Sequence, residues 1–85
     1  MPSQEDINHQ LRLLEIHRRN LAHLVKQAAH YGGEDETPVY IANSLQENRD
    51  NIRRIKGILR GWGTAVVDGP NDEPPDMADS SSSVR

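Results

Sequence analysis

Cysteine and phenylalanine are both absent from the 85 residues, and aromatic residues amount to only 4% of the chain. The first absence excludes a disulfide scaffold, a thiolate zinc site and a cysteine nucleophile, and says nothing of compartment. The second leaves any core to aliphatic side chains, supported by one Trp and two Tyr. No apolar run approaches the roughly 20 residues that span a bilayer, so no membrane partner is expected. The start, Met1 to Asp6, lacks the basic region followed by an apolar one that marks a secretory signal, which makes the cytoplasm the default localisation. A chain of this length holds at most one small domain.

The charge that is present is unevenly placed. The formal total is −3, yet residues 1–62 carry a balance of +1 and residues 63–85 one of −4. The latter segment sets Arg85 against Asp68, Asp72, Glu73, Asp76 and Asp79, and adds Pro70, Pro74, Pro75 and the run Ser80 to Ser83. A stretch so poor in apolar groups cannot offset the entropy lost on ordering. The expected division is a helical module over 1–68 and an acidic, Pro/Ser-rich disordered tail over 69–85, with a soft boundary at Val66 and Val67.

Two helices fill the module. Ser3 precedes Asp6 by three residues, a variant of the capping box, and Gln4, Glu5 and Asp6 suit the positive end of a helix dipole. Ile7, Leu11, Leu14, Leu21, Leu24, Val25 and Ala28 then recur at helical spacing, with no Gly or Pro before Gly32-Gly33. The spacing predicts a helix over about 4–31, stopped by the glycines. Glu34-Asp35-Glu36 is a polar connector, and Thr37-Pro38 reads as N-cap and first helical residue of a second helix over about 38–62. Its seam is Ile41, Leu45, Asn48, Ile52, Ile55, Leu59 and Trp62, in alternating steps of four and three. Gly57 weakens that helix by about 1 kcal/mol relative to Ala. The short connection predicts an antiparallel hairpin.

Such a hairpin has more apolar surface than it can bury. The expected core joins Ile7, Leu14, Leu21 and Val25 to Ile41, Leu45, Ile52, Ile55, Leu59 and Trp62. Leu13, Leu24 and Tyr31 widen the stripe of the first helix, Ile16 lies almost opposite, and Ile58 stands off the second seam. A small core stabilises weakly, so the excess points to a packing partner, most simply a second copy completing a four-helix bundle. Asn48 within the seam either sets register or sits solvated at its rim.

Catalytic and ligand signatures are missing. His9, His17, His23 and His30 are spaced by eight, six and seven, where two ligands on one helix face need three or four. There is no phosphate-binding glycine loop, no cofactor motif and no cleft in which acid–base groups would act. No enzymatic activity and no cofactor are therefore expected. Arg49, Arg53, Lys56 and Arg60 form one row beside the second seam and are the candidate polyanion contact. The overall charge balance argues against a nucleic-acid partner, and such a row commonly pairs with acidic side chains, the tail among them.

Leu13-Leu14-Glu15-Ile16-His17-Arg18-Arg19-Asn20-Leu21, then Leu24, Gln27-Ala28-Ala29 and Tyr31-Gly32, followed by Thr37-Pro38, Asn43, Ile52, Ile55-Lys56, Leu59 and Trp62-Gly63, form a recognisable order. Over roughly residues 10–68 it resembles the effector-associated helical-hairpin adaptor modules of bacterial multidomain signalling proteins. Those modules accompany STAND ATPases (NACHT or NB-ARC), TIR domains and caspase-like peptidases. The resemblance implies an adaptor role by homotypic or heterotypic helix packing, and no catalytic residue. The expected function is thus a non-enzymatic protein–protein interaction module. The alternative is a small nucleic-acid-binding protein using the basic row.

Overall fold

The computed structural model describes residues 2–74. Two long helices, α1 (Gln4–His30) and α2 (Val39–Gly61), are joined through a single 3-10 turn at Glu34–Glu36 and pack against each other as a hairpin. No strand occurs among the described residues. The helix boundaries follow from local chemistry. Ser3 accepts from the Asp6 backbone N–H at 3.1 Å while the Asp6 carboxylate accepts from the Ser3 N–H, so the capping box is complete. Both helices end in the same paired arrangement. Gly33 N–H donates to the Ala28 carbonyl and Gly32 N–H to that of Ala29, and Thr64 and Gly63 repeat this on Leu59 and Arg60. That motif needs a left-handed residue just past the helix, supplied by Gly32 at φ 99° and Gly63 at φ 82°.

The start of α2 differs from expectation by one residue. Pro38 is itself the N-cap, its carbonyl accepting from Ile41 and Ala42, and no side chain caps the helix. The Thr37 hydroxyl turns back instead and donates to the Glu34 carbonyl at 3.0 Å, closing the connector.

The core is a heptad seam. Leu14, Leu21 and Ala28 are buried at intervals of seven on α1, and Ile41, Leu45, Ile52, Ile55 and Leu59 on α2. Leu21, Ile52, Ile55 and Leu59 are sealed from solvent almost completely. Ile7 and Val25 pack against this cluster half-buried, as do Leu13, Leu24 and Val66. Trp62 does not complete the seam. It is the C-cap residue of α2, lies outside the buried cluster and remains 37% exposed.

A further correction concerns the tail. Residues 69–74, expected to be disordered, lie against the helices, and Asp72 is only 4% exposed. The attraction is electrostatic and falls outside an argument that weighs only apolar burial. Residues 75–85, with Asp76, Asp79 and the serine run, lie outside the described residues.

Candidate functional site

One flank of the hairpin gathers every member of the expected basic row. Arg49 and Lys56 sit seven residues apart beside the α2 seam, with Arg53 and Arg60 in the next column outward. Arg18 joins them from α1, where it stands between Leu11 and Val25 at the same seven-residue spacing. The segment from Thr64 to Pro74 leaves the α2 cap, turns back and runs over these cations as a strap.

The strap is held at two carboxylates and three carbonyls. Asp72 is the deepest group. It accepts from Arg18 Nη2 at 2.7 Å and Arg18 Nε at 3.2 Å, from Lys56 Nζ at 2.9 Å, and from the Gly69 backbone N–H at 2.8 Å. Asp68, on the surface, accepts from Lys56 Nζ at 2.6 Å and Arg60 Nη2 at 3.0 Å. Arg60 also donates to the Val66 carbonyl, Arg18 to that of Val67 and Arg49 Nε to that of Asn71, at 3.0, 2.8 and 2.9 Å. Arg49 spends its remaining donors on Glu34, in a bidentate pair at 2.6 and 2.9 Å that ties the connector to α2. Arg53 reaches Glu73 and Asp50 at 3.5 and 3.6 Å, in exposed pairs of little energetic weight.

Titration behaviour follows from this arrangement. Burial pushes the Asp72 carboxyl up, but the hydrogen bonds from Arg18, the Gly69 N–H and Lys56 outweigh it and hold the group well below the usual carboxylate range. Burial likewise pulls the Lys56 ammonium down, and Asp68 and Asp72 together more than reverse that. Lys56 and Arg60 lower Asp68. All three groups are charged at neutral pH, and no buried polar side chain among the described residues lacks a partner.

Gly69 is where the strap comes closest. A Cβ there would lie 2.8 Å from an Asp72 carboxylate oxygen and 2.9 Å from Arg18 Nε. The absence of a side chain thus lets the backbone pass between the ion pair's partners.

Among the described residues, none forms a strap over the opposite flank. An open groove of about 520 Å³ runs between the helices there, lined by Arg19, Asn20, His23, Leu24, Ser44 and Asn48. Asn48 is half-buried at its floor. Its amide donates to the Ser44 carbonyl at 2.8 Å, and its oxygen lies 3.3 Å from His17 Nδ1, a polar link across the two helices. Asn48 is thus neither fully solvated nor sealed in the seam. No group of three metal-ligating side chains converges among the described residues, and no helix there is long and apolar enough to cross a membrane.

Sequence reasoning named the basic row and raised the acidic tail as its partner, but left Arg18 and Gly69 without roles. The available signal was the opposition between a cationic row and the Asp68 to Glu73 charges a short connection away. Fold and flanks together define an all-α helical hairpin with a polar strap. No protein-family description, curated protein or solved structure matches the chain.

Proposed function

We propose that the chain is a non-enzymatic adaptor that acts in the cytoplasm by helix packing. Its open flank is completed by a second copy of itself into a four-helix bundle, with a helical signalling or effector protein as the heterotypic form of the same contact. The observation that supports this reading is the inequality of the two flanks. The strap covers one. The other leaves Leu24 half-covered at the groove, while Leu13 is only partly buried and Ile16, Tyr31, Tyr40 and Trp62 remain exposed elsewhere on the hairpin. Two helices cannot bury so wide a stripe between them, and a self-complementary face is the usual route by which hairpins finish a core. The resemblance of residues 10–68 to effector-associated hairpin modules points the same way.

Sedimentation equilibrium over a concentration series, with circular dichroism on the same samples, tests this reading. The expected result is a helical dimer. Leu24→Asp on the groove should keep its helices and dissociate. A helical monomer at all concentrations would end the homotypic form and leave the flank to a different protein. The alternative of nucleic-acid binding through Arg49, Arg53, Lys56 and Arg60 has less support, since all four side chains are paired with acidic groups of the same chain.

A further inference from the structure

We propose that the cleft formed by Arg18, Arg49, Lys56 and Arg60 is a docking site for an acidic peptide that closes a tight turn around its buried carboxylate, and that residues 66–74 occupy it in cis as a displaceable mask. This site lies on the strapped flank, apart from the groove to which the adaptor function is assigned.

The argument begins with what the cations recognise. Three guanidinium groups each donate to a backbone carbonyl, on Val66, Val67 and Asn71. Two carboxylates four residues apart, Asp68 and Asp72, take the remaining donors of Arg18 and Arg60 and those of Lys56. This pattern reads a peptide: amide carbonyls interleaved with carboxylates along a short segment that turns between Gly69 and Asp72. A polyphosphate offers the charge but not the neutral carbonyls at those intervals. The planar fork of Arg suits this mixed recognition, because one face of the group meets a carboxylate while another N–H meets a carbonyl.

The second step is how weakly the strap is otherwise attached. Val66 alone of its side chains joins the apolar cluster. Val67 is 83% exposed, and Pro70 is exposed as well. A segment fixed by polar contacts, with little apolar area beneath it, opens locally without unfolding the body that carries it. When it opens, Arg18, Arg49, Lys56 and Arg60 return to water, so the helices are left with no unpaired buried charge. A ligand tethered by a short connection competes at an effective concentration of roughly millimolar, so an intact strap masks the cleft against a free peptide of similar affinity.

Two independent changes unlatch the strap without touching the cleft. Asp72→Asn removes the buried charge. Gly69→Ala keeps every charge and drives a Cβ into the Asp72–Arg18 pair. The probe is a fluorescein-labelled peptide with the sequence of residues 64–74, followed by anisotropy on the full chain at low salt. Both variants should bind it saturably, at least tenfold more tightly than the unaltered chain. Affinity should fall as salt rises and should vanish when Lys56→Gln or Arg18→Gln is added. A peptide with Asn at both Asp positions should not bind.

Three results would overturn the proposal. The first is a helical, unlatched chain that ignores the peptide. The second is an unaltered chain that binds it as tightly as the variants do. The third is an unlatched chain that prefers a DNA oligonucleotide of equal charge, which would reassign the cleft to phosphates. If both variants lose their helices, amide exchange on the unaltered chain decides. Exchange at Gly69 and Asp72 faster than in the helices upholds a strap that opens alone. Exchange only with global unfolding refutes it.

Discussion

The two flanks of the hairpin are bordered by the same apolar seam and finished in opposite ways. On one, Lys56, Arg53 and Arg60 collect carboxylates from the chain's own acidic segment, and Arg49 collects that of Glu34 in the connector. On the other, Leu24, Asn48 and Ser44 border a groove that none of the described residues fills. The contrast shows that a two-helix core has two edges to close, and that polar chemistry can close one where apolar area is short. It also separates two kinds of stability. The seam holds the helices together, whereas the strap is held by the helices.

The largest effect that tests this separation is expected in the seam. Leu21 is sealed completely, and truncation to Ala should cost about 2–5 kcal/mol, as for other fully buried leucines. In a domain of this size that approaches the whole stability, so helicity should be lost at or near room temperature. The same operation on the strap, Val67→Ala, should leave the midpoint of thermal unfolding unchanged, since that side chain is already in solvent. Equal losses at the two sites would erase the distinction.

A smaller effect is expected at Asp72. Removing one partner of a buried pair costs about 3–5 kcal/mol when the other charges must stay buried. Here they need not, because the strap can lift away and let Arg18 and Lys56 hydrate. Asp72→Asn should therefore cost the helices about 1 kcal/mol, the net worth of an ordinary hydrogen bond, while the Gly69 amide loses its protection from exchange. A global loss as large as that of Leu21→Ala would mean that the strap and the seam are one cooperative unit.

The pH dependence follows with a definite sign. Asp72 and Asp68 have folded-state values below those of the unfolded chain, so their contribution is present above the ordinary carboxylate range and is lost as pH falls through the depressed values. Lys56 is raised, so its contribution is present below the ordinary lysine value and is lost as pH rises through the folded one. Strap protection, measured by exchange-corrected amide NMR, should be flat between roughly pH 5 and 9 and fall off at both ends. A step near pH 6.5 would instead implicate a histidine, and among the described residues none hydrogen-bonds to the strap.

Much of this architecture was readable from residue order. The seven-residue recurrence of Leu14, Leu21 and Ala28, the Ser3–Asp6 box and the glycine pairs each act locally, so their consequences can be read without a partner in view. Trp62 continues the spacing of the seam, yet it caps the helix and lies outside the buried cluster, because a periodic pattern fixes the face of a helix and not how far along it the partner helix covers that face. The strap misled for a different reason. Composition alone treats Asp68, Asp72 and Glu73 as solvated charge. Their order arises from cations that α2 brings to one side, together with Arg18 on the other helix. Such long-range electrostatic pairing leaves no periodicity behind. The charge opposition was legible as a question, and only the three-dimensional placement of Gly69 and Arg18 answered it.

The smallest predicted effect separates the helix backbone from both flanks. Gly57 lies on the exposed face of α2, away from seam and strap, in helical conformation, and a Cβ built on it meets nothing within 4 Å. Gly57→Ala should therefore raise stability by about 1 kcal/mol, through reduced freedom of the unfolded chain and better helix propensity. Gly63 also has empty space around a new Cβ, but it holds φ at 82° to close the cap after Trp62. The identical substitution there should destabilise by about 1 kcal/mol, because an L side chain resists the left-handed region. Chemical denaturation of the two variants side by side reads out both signs. If both substitutions stabilise, the strain at the α2 cap is absent and the strap's point of departure is looser than its hydrogen bonds indicate. If both destabilise, the exposed face around Gly57 is covered by something that the added methyl obstructs, and the open flank is not the hairpin's only contact surface.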